Sequence, residues 1–235
     1  MHSIQYLQIQ VARNCKNWCN TRIVERKLVF LSGVGSSKSS GENVVNAAVS
    51  EGWVDDGDAY TPRQAKKMSP DKLRQRIQIG GVLWTHSAGI LYVPSEVKVH
   101  EAAIFAGPEK RSVPRLLKGS MQKTWDHIFA ETDYSRREHL RVAAHTTAFA
   151  LRDVLSLPEI AKFSTTEHIA AATHVNPENT RVFSMSEDRF FPGSHNIAAP
   201  VLRNLGCHVQ EIEGGHDDMM VDPSAVLQVA GLAQK

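Results

Sequence analysis

Ser87 lies in the string from Thr85 to Gly89 (THSAG), directly after the apolar run 82–84. A serine can serve as a nucleophile on a sharp strand-to-helix turn, and that turn requires small residues two positions before and two after it. Gly89 meets this requirement and Thr85 is a tolerable substitute. The turn would direct the first amides of the next helix at a reacting oxygen. The string by itself fits a plain Ser-Gly turn equally well, so other catalytic groups must be present.

A nucleophilic serine needs a base that removes its proton and a carboxylate that orients the base. Both residue types follow Ser87 in the chain. Asp188 comes after the apolar segment 181–185, and His216 follows segment 208–212 in the string GGHDD. Of the eleven histidines, we predict His216 to be the base because it follows a predicted strand and has flanking glycines. His86, beside the serine, fits a packing or pocket-wall role better.

Glu109 is the main rival to Asp188 as the orienting acid, because it also lies just beyond a predicted strand. Asp217 and Asp218 adjoin His216 in sequence, which is the wrong geometry for holding its ring. His145, His168 and His174 fall in segment 108–178, and no two of them share a recognisable ligand spacing with an acid, so we expect surface or pocket-lining roles for them and no metal site.

Length and composition predict one globular core with an insertion. The chain has 235 residues, 42% hydrophobic and 22% charged, and a net charge of +2 with basic and acidic residues interspersed. This charge is too small to indicate a nucleic-acid partner. The first twenty residues contain no continuous apolar stretch, so we expect neither a signal peptide nor a membrane span. The three cysteines are an odd number and fit reduced thiols in the cytoplasm, where we expect the protein to act on a small molecule.

Short apolar runs predict strands buried on both faces, because each run ends in a glycine or polar loop. These runs cover 27–31, 82–84, 102–106 and 181–185, and segment 208–212 is a further strand. Segment 4–12 alternates in polarity as an exposed edge strand would.

Helical patterns alternate with these strands. They cover 41–51, 69–79, 195–205 and 222–234, with Ser69 and Asp222 as N-caps that are each followed by proline. Pro94 must end the helix after Ser87 within about two turns. The alternation predicts the α/β class, with a mainly parallel central sheet flanked by helices and an active site at the carboxyl ends of its strands.

Residues 108–178 interrupt this alternation with a long helical pattern. We predict a helical cap there, inserted into a core made of residues 1–107 and 179–235. Trp125 and Phe149 are its candidate substrate-binding residues, because its apolar content indicates a mostly apolar pocket. The alternative is that the block is only additional scaffold.

The order Ser87, Asp188, His216, each at a predicted strand end, resembles the α/β-hydrolase superfamily over most of residues 25–232. The resemblance implies that these residues form a catalytic triad. The loop Ser32 to Gly35 falls where the superfamily keeps its His-Gly oxyanion loop, although serine replaces the histidine here. By this correspondence, the oxyanion donors would be the backbone N–H groups of Val34 and Ala88.

The expected activity is hydrolysis of a carboxylic ester through an acyl-enzyme on Ser87, without a cofactor. Thioester, amide and lactone hydrolysis are alternatives within the superfamily, as are lyase and cofactor-free peroxidase chemistry with the same triad. The serine excludes the branch that displaces halide with an aspartate. A non-catalytic ligand-binding protein on the same fold is the alternative from another class.

Overall fold

The computed structural model of this chain describes residues 26–33, 36–94, 97, 99, 101–107, 114–115, 117–118, 177–188, 191 and 194–232. Within these residues, six strands form one sheet in the order β2-β1-β3-β4-β5-β6, and every neighbouring pair is parallel. The strands are β1 (Lys27–Leu31), β2 (Asp56–Tyr60), β3 (Gly81–His86), β4 (Glu101–Phe105), β5 (Thr180–Met185) and β6 (His208–Ile212).

The helices that the structure describes cover both faces of the sheet. The α-helices are α1 (Lys38–Ser50), α2 (Pro62–Lys67), α3 (Pro70–Gly80), α4 (Ser194–Asn204), α5 (Asp218–Val221) and α6 (Pro223–Val229). In the described part of the chain, one 3₁₀ helix (Ser87–Tyr92) follows β3 and another (Pro177–Asn179) precedes β5. None of the described helices is long and apolar enough to cross a membrane.

Alternate residues of each central strand pack against opposite helical layers. In β1, Leu28 and Phe30 belong to the core that α1, α5 and α6 cover, whereas Val29 and Leu31 pack with α2 and α3. A third cluster contains Leu202 of α4 together with residues of β4 and β5. Strands buried on both faces explain why the sequence shows continuous apolar runs instead of alternation.

The predicted α/β class and parallel sheet are confirmed. The predicted strands 27–31 and 208–212 have the expected bounds, and the strands predicted at 82–84, 102–106 and 181–185 agree within one or two residues at each end. The strand β2 was not predicted, because its sequence DGDAY contains two aspartates and a glycine. It lies at the edge of the described sheet, where polar residues can face water. A Cβ at its Gly57 would lie 2.7 Å from the Leu28 carbonyl oxygen, so glycine permits this close pairing.

Helix starts follow the predicted caps. The side chain of Ser69 accepts a hydrogen bond from the Lys72 amide, and Pro70 is the first residue of α3. Helix α1 begins before the predicted residue 41, because Ser37 caps it by accepting from the Ser40 amide at 3.1 Å. An N-cap satisfies amides that have no partner within the helix.

The predicted helix 222–234 is shorter than expected. Asp222 caps α6 through the Ala225 amide, and Pro223 is its first residue, but the helix ends at Val229. Gly231 has φ of 65°, and the Leu232 amide donates to the Leu227 carbonyl. A left-handed glycine followed by such a bond terminates a helix. The predicted edge strand 4–12 and almost all of the predicted cap, 108–178, lie outside the described residues.

Candidate active site

Ser87 lies at the turn between β3 and a 3₁₀ helix. Its φ is 52°, a left-handed conformation that a residue other than glycine adopts at a cost of about 1–3 kcal/mol. A Cβ at Gly89 would collide with the Leu31 carbonyl oxygen, which explains the glycine two positions after the serine. The 3₁₀ helix ends at Tyr92, so the predicted stop before Pro94 is confirmed. The strained turn holds Ser87 at the carboxyl end of the sheet.

Two hydrogen bonds join Ser87, His216 and Asp188. The Nε2 atom of His216 lies 2.9 Å from Ser87 Oγ, and Nδ1 lies 2.8 Å from Asp188 Oδ2. Because an ionised carboxylate only accepts, Nδ1 carries the proton and Nε2 is free to accept the serine proton. The side chain of His216 is 9% exposed and that of Asp188 is 0% exposed. The fold therefore brings together the three residues that the sequence predicted.

Asp188 is fixed by the loop after β5. Its Oδ1 accepts a hydrogen bond from the Phe191 amide at 2.8 Å, and its own amide donates to the Met185 carbonyl. This leaves Oδ2 for His216. The Phe191 ring packs edge-on against the His216 ring, with centroids 5.4 Å apart. Phe191 thus positions Asp188 through its backbone amide and covers one side of the His216 ring with its side chain.

The loop that carries His216 wraps around the carboxylate of Asp218. Asp218 Oδ2 accepts from the Gly215 amide at 2.8 Å, and the Asp218 amide donates to the Gly215 carbonyl. Gly214 has φ of 136°, and a Cβ there would lie 2.9 Å from Asp218 Oδ2. The glycine that the sequence places before the base is therefore required by the turn. Asp218 holds the loop and not the imidazole ring.

Backbone hydrogen bonds connect the loop that carries Asp188 to the loop that carries His216. The Ser186 amide donates to the Ile212 carbonyl, and the Glu187 amide donates to the Gly214 carbonyl, both at 2.9 Å. These bonds extend the pairing of β5 with β6 beyond the strand ends. The separation between Asp188 and His216 is therefore set by the sheet.

Of the two predicted oxyanion donors, the structure describes Ala88 but not Val34. Ala88 follows Ser87 at the start of the 3₁₀ helix, where an amide has no acceptor in a preceding turn. Val34 lies outside the described residues. Its neighbour Gly33 packs directly on Ser87, because a Cβ there would lie 2.7 Å from Ser87 Cβ. Ser32 anchors this loop by donating its amide and its hydroxyl to the Tyr60 carbonyl.

Tyr60 itself is partly buried at the end of β2. Burial raises the pKa of its phenol, and the adjacent carboxylate of Asp58 raises that pKa further. The phenol donates a hydrogen bond to Asp58 at 3.3 Å. The phenol of Tyr60 therefore stays protonated at neutral pH. The carbonyl of the same residue anchors Ser32.

Replacing Gly33 with alanine is expected to lower kcat/KM for a short ester by about 100-fold, because the new methyl group would push the loop away from Ser87. Ester hydrolysis and thermal unfolding check this together. Gly81→Ala is the matched control: Gly81 has φ of 69°, and a Cβ there would have no neighbour within 4 Å, so the change strains only a helix end. Equal activity losses in both variants would contradict the expectation.

Among the described residues, His86, His216 and Asp217 place potential metal-ligand atoms within 4.8 Å of one another. Both ring nitrogens of His216 are already engaged by Ser87 and Asp188. The Nε2 atom of His86 lies 2.7 Å from the His216 carbonyl oxygen. A metal ion could bind His216 only by displacing a partner from the serine arrangement, so these residues do not fit a resident metal.

The structure adds two residues that the sequence interpretation did not assign to the site, Phe191 and Asp218. Asp218 binds the backbone of Gly215, three residues before it, so its role is a local contact within one loop. The role of Phe191 has no local signal, because it depends on a contact between separate loops. Glu109, Trp125 and Phe149 lie outside the described residues.

Comparison with known proteins finds similar structures but no match by sequence. No protein-family model matches the chain, and no curated protein matches it. The chain is similar in structure to a carboxylesterase from Nitrososphaera gargenis, with a TM-score of 0.54 and 11% identity over 88% of this chain and 89% of that one.

Two further solved structures are similar. An alpha/beta hydrolase from a Medee basin deep-sea metagenome library has a TM-score of 0.55 and 17% identity, over 92% of each chain. The enol-lactonase of Burkholderia xenovorans LB400 has a TM-score of 0.53 and 14% identity, over 88% of this chain and 90% of that one. These similarities extend over most of each chain. The chain therefore has the α/β-hydrolase fold.

Proposed function

We propose that this protein is a serine hydrolase that cleaves a carboxylic ester, or a related acyl bond, of a small to medium, partly apolar substrate. The observation that carries the proposal is the continuous hydrogen-bonded series from Asp188 through His216 to Ser87. A serine on a left-handed turn, a base and a buried carboxylate form an arrangement that suits acyl transfer. Two of the similar structures are a carboxylesterase and an enol-lactonase, and a lactone is a cyclic ester.

In the proposed first step, His216 Nε2 removes the proton from Ser87 Oγ as this oxygen attacks the acyl carbon. Asp188, which accepts from Nδ1, stabilises the imidazolium that forms. The amides of Ala88 and Val34 donate to the oxyanion of the tetrahedral intermediate. His216 then protonates the departing alcohol, which leaves an acyl group on Ser87.

Water completes the proposed reaction. His216 removes a proton from a water molecule, which attacks the acyl-enzyme and releases the acid, and the proton returns to Ser87. All the protons move between groups of this chain, the substrate and water. This chemistry therefore requires no cofactor.

The proposed substrate pocket lies in the insertion 108–178, with Trp125 and Phe149 in contact with the acyl or alcohol group. We expect Trp125→Ala and Phe149→Ala to lower kcat/KM for a nitrophenyl octanoate at least tenfold more than for the acetate, because a buried CH₂ contributes about 0.8 kcal/mol. Steady-state kinetics over a series of chain lengths checks this. Trp53→Phe is the control, because Trp53 belongs to the hydrophobic core and lies outside the insertion. Equal effects on every chain length would contradict the pocket assignment.

Covalent labelling tests the proposed function. The wild-type protein should react with a fluorophosphonate probe at Ser87, located by peptide mass spectrometry, and should hydrolyse nitrophenyl acetate with a burst of nitrophenol. Matched thioester and anilide substrates distinguish ester hydrolysis from the related acyl transfers. A folded protein that is not labelled would overturn the proposal in favour of a ligand-binding protein.

A further inference from the structure

His86 lies between the nucleophile and the loop of the base. It is the last residue of β3 and precedes Ser87, and it is 2% exposed. Its Nε2 lies 2.7 Å from the carbonyl oxygen of His216, a residue 130 positions away in the chain. The two imidazole rings are 5.1 Å apart, with their planes inclined by 54°. His86 therefore joins the strand that carries the nucleophile to the residue that supplies the base.

The His86 ring also faces the loop after β1. A Cβ at Gly33 would lie 3.2 Å from His86 Nδ1 and 3.1 Å from the His86 carbonyl oxygen. The ring thus lies against the loop that is expected to supply an oxyanion donor, on one side, and against the His216 loop on the other. A single side chain contacts both structures that must be aligned with Ser87.

The hydrogen bond fixes the direction of donation. A carbonyl oxygen only accepts, so His86 Nε2 carries the proton. At 2.7 Å the bond is at the short end of the range for N–H donors, and because His86 is buried, water weakens the bond little. The bond therefore holds the His216 backbone at a defined distance from β3. A hydrocarbon side chain could fill the same space without restraining that carbonyl group.

We infer that His86 is a positioning residue, whose Nε2–H holds the backbone of His216 so that its imidazole stays aligned with Ser87. This inference rests on the proposed serine-hydrolase function. In this role His86 acts through its hydrogen bond to the His216 carbonyl and not by proton transfer. Catalysis is sensitive to such alignment, because a displacement of about 1 Å can lower the rate by roughly 100-fold.

Three substitutions separate the hydrogen bond from packing. The amide nitrogen of His86→Gln lies the same number of bonds from the backbone as His Nε2, whereas that of His86→Asn corresponds to Nδ1. His86→Leu keeps an apolar volume without a donor. We expect Gln to keep kcat for nitrophenyl acetate within about threefold of wild type, and Asn and Leu to lower it by roughly 100-fold with KM little changed. His208→Leu, an exposed histidine at the start of β6, is the matched control.

The decisive readouts are kcat, KM, the rate of fluorophosphonate labelling and the thermal unfolding midpoint of each variant. If the Leu variant does not fold, the Gln and Asn pair still distinguishes the two ring nitrogens. A folded Leu variant with wild-type kcat and labelling rate would overturn the inference, and so would a Gln variant as slow as the Asn variant. Failure of the wild type itself to be labelled would instead overturn the proposed function.

Discussion

Ser87→Ala is expected to lower kcat for nitrophenyl acetate by about a million-fold and to abolish fluorophosphonate labelling, because the variant lacks the hydroxyl on which the proposed acyl-enzyme forms. Ser87 Oγ is the atom that His216 Nε2 approaches at 2.9 Å. Alanine keeps the β3 turn and removes only this oxygen. The remaining rate should reflect substrate binding and oxyanion stabilisation alone. Single-turnover kinetics and intact-protein mass spectrometry measure both effects.

Ser50→Ala is the control for this experiment. Ser50 ends α1 and its hydroxyl donates to the Ala47 carbonyl, away from the triad. We expect wild-type labelling and kcat from this variant. Retention of either signal in Ser87→Ala would show that another residue is the nucleophile.

Asp188→Asn is expected to lower kcat by about 10,000-fold with little change in fold, because it reverses the histidine tautomer. The Phe191 amide donates to Oδ1, so the carbonyl oxygen of asparagine would keep this position. The NH₂ group would then face His216 Nδ1, which could only accept. The ring proton would move to Nε2, and Nε2 could no longer accept the proton of Ser87.

The pH dependence of kcat and the thermal midpoint accompany this measurement, since a structural loss would lower the midpoint as well. Glu109→Gln is the matched control, because Glu109 is the rival acid from the sequence. We expect it to retain wild-type kcat. A large loss in Glu109→Gln with a near-normal Asp188→Asn would assign the orienting role to Glu109.

The predictable part of the fold consists of segments whose burial is evident from local sequence. Residues 28–31 are apolar because both faces of β1 are covered. The N-caps Ser69 and Asp222 are predictable because their side chains can accept a hydrogen bond from a helix amide, and a proline follows each of them. Strand β2 lacks such a signal, since its pairing depends on β1 and on the small size of Gly57. Hydrophobic pattern and capping residues thus predict strands and helices that have a local sequence signal. They do not predict a strand such as β2, whose pairing depends on its neighbour β1.

The same distinction applies to the candidate site. Ser87 and His216 could be predicted because the turns that hold them require glycines at fixed offsets, and Asp188 because it follows an apolar strand. The contacts of His86 and Phe191 could not be predicted. His86 bonds to the backbone of His216, which is distant in sequence, and the Phe191 ring packs on the His216 ring of a separate loop. No local pattern records a hydrogen bond to a carbonyl oxygen 130 residues away.

The separation of Ser87 and His216 along the chain has a consequence for synthesis of the protein. Ser87 and His216 are 129 residues apart, and their contact requires β6 to pair with β5. A nascent chain emerges from the ribosome with its N-terminal part first, so β1 to β4 are available long before the base. Until residue 216 has emerged, the serine lacks the base that would remove its proton. On the proposed function, Ser87 is therefore expected to become reactive only after β6 and His216 have emerged.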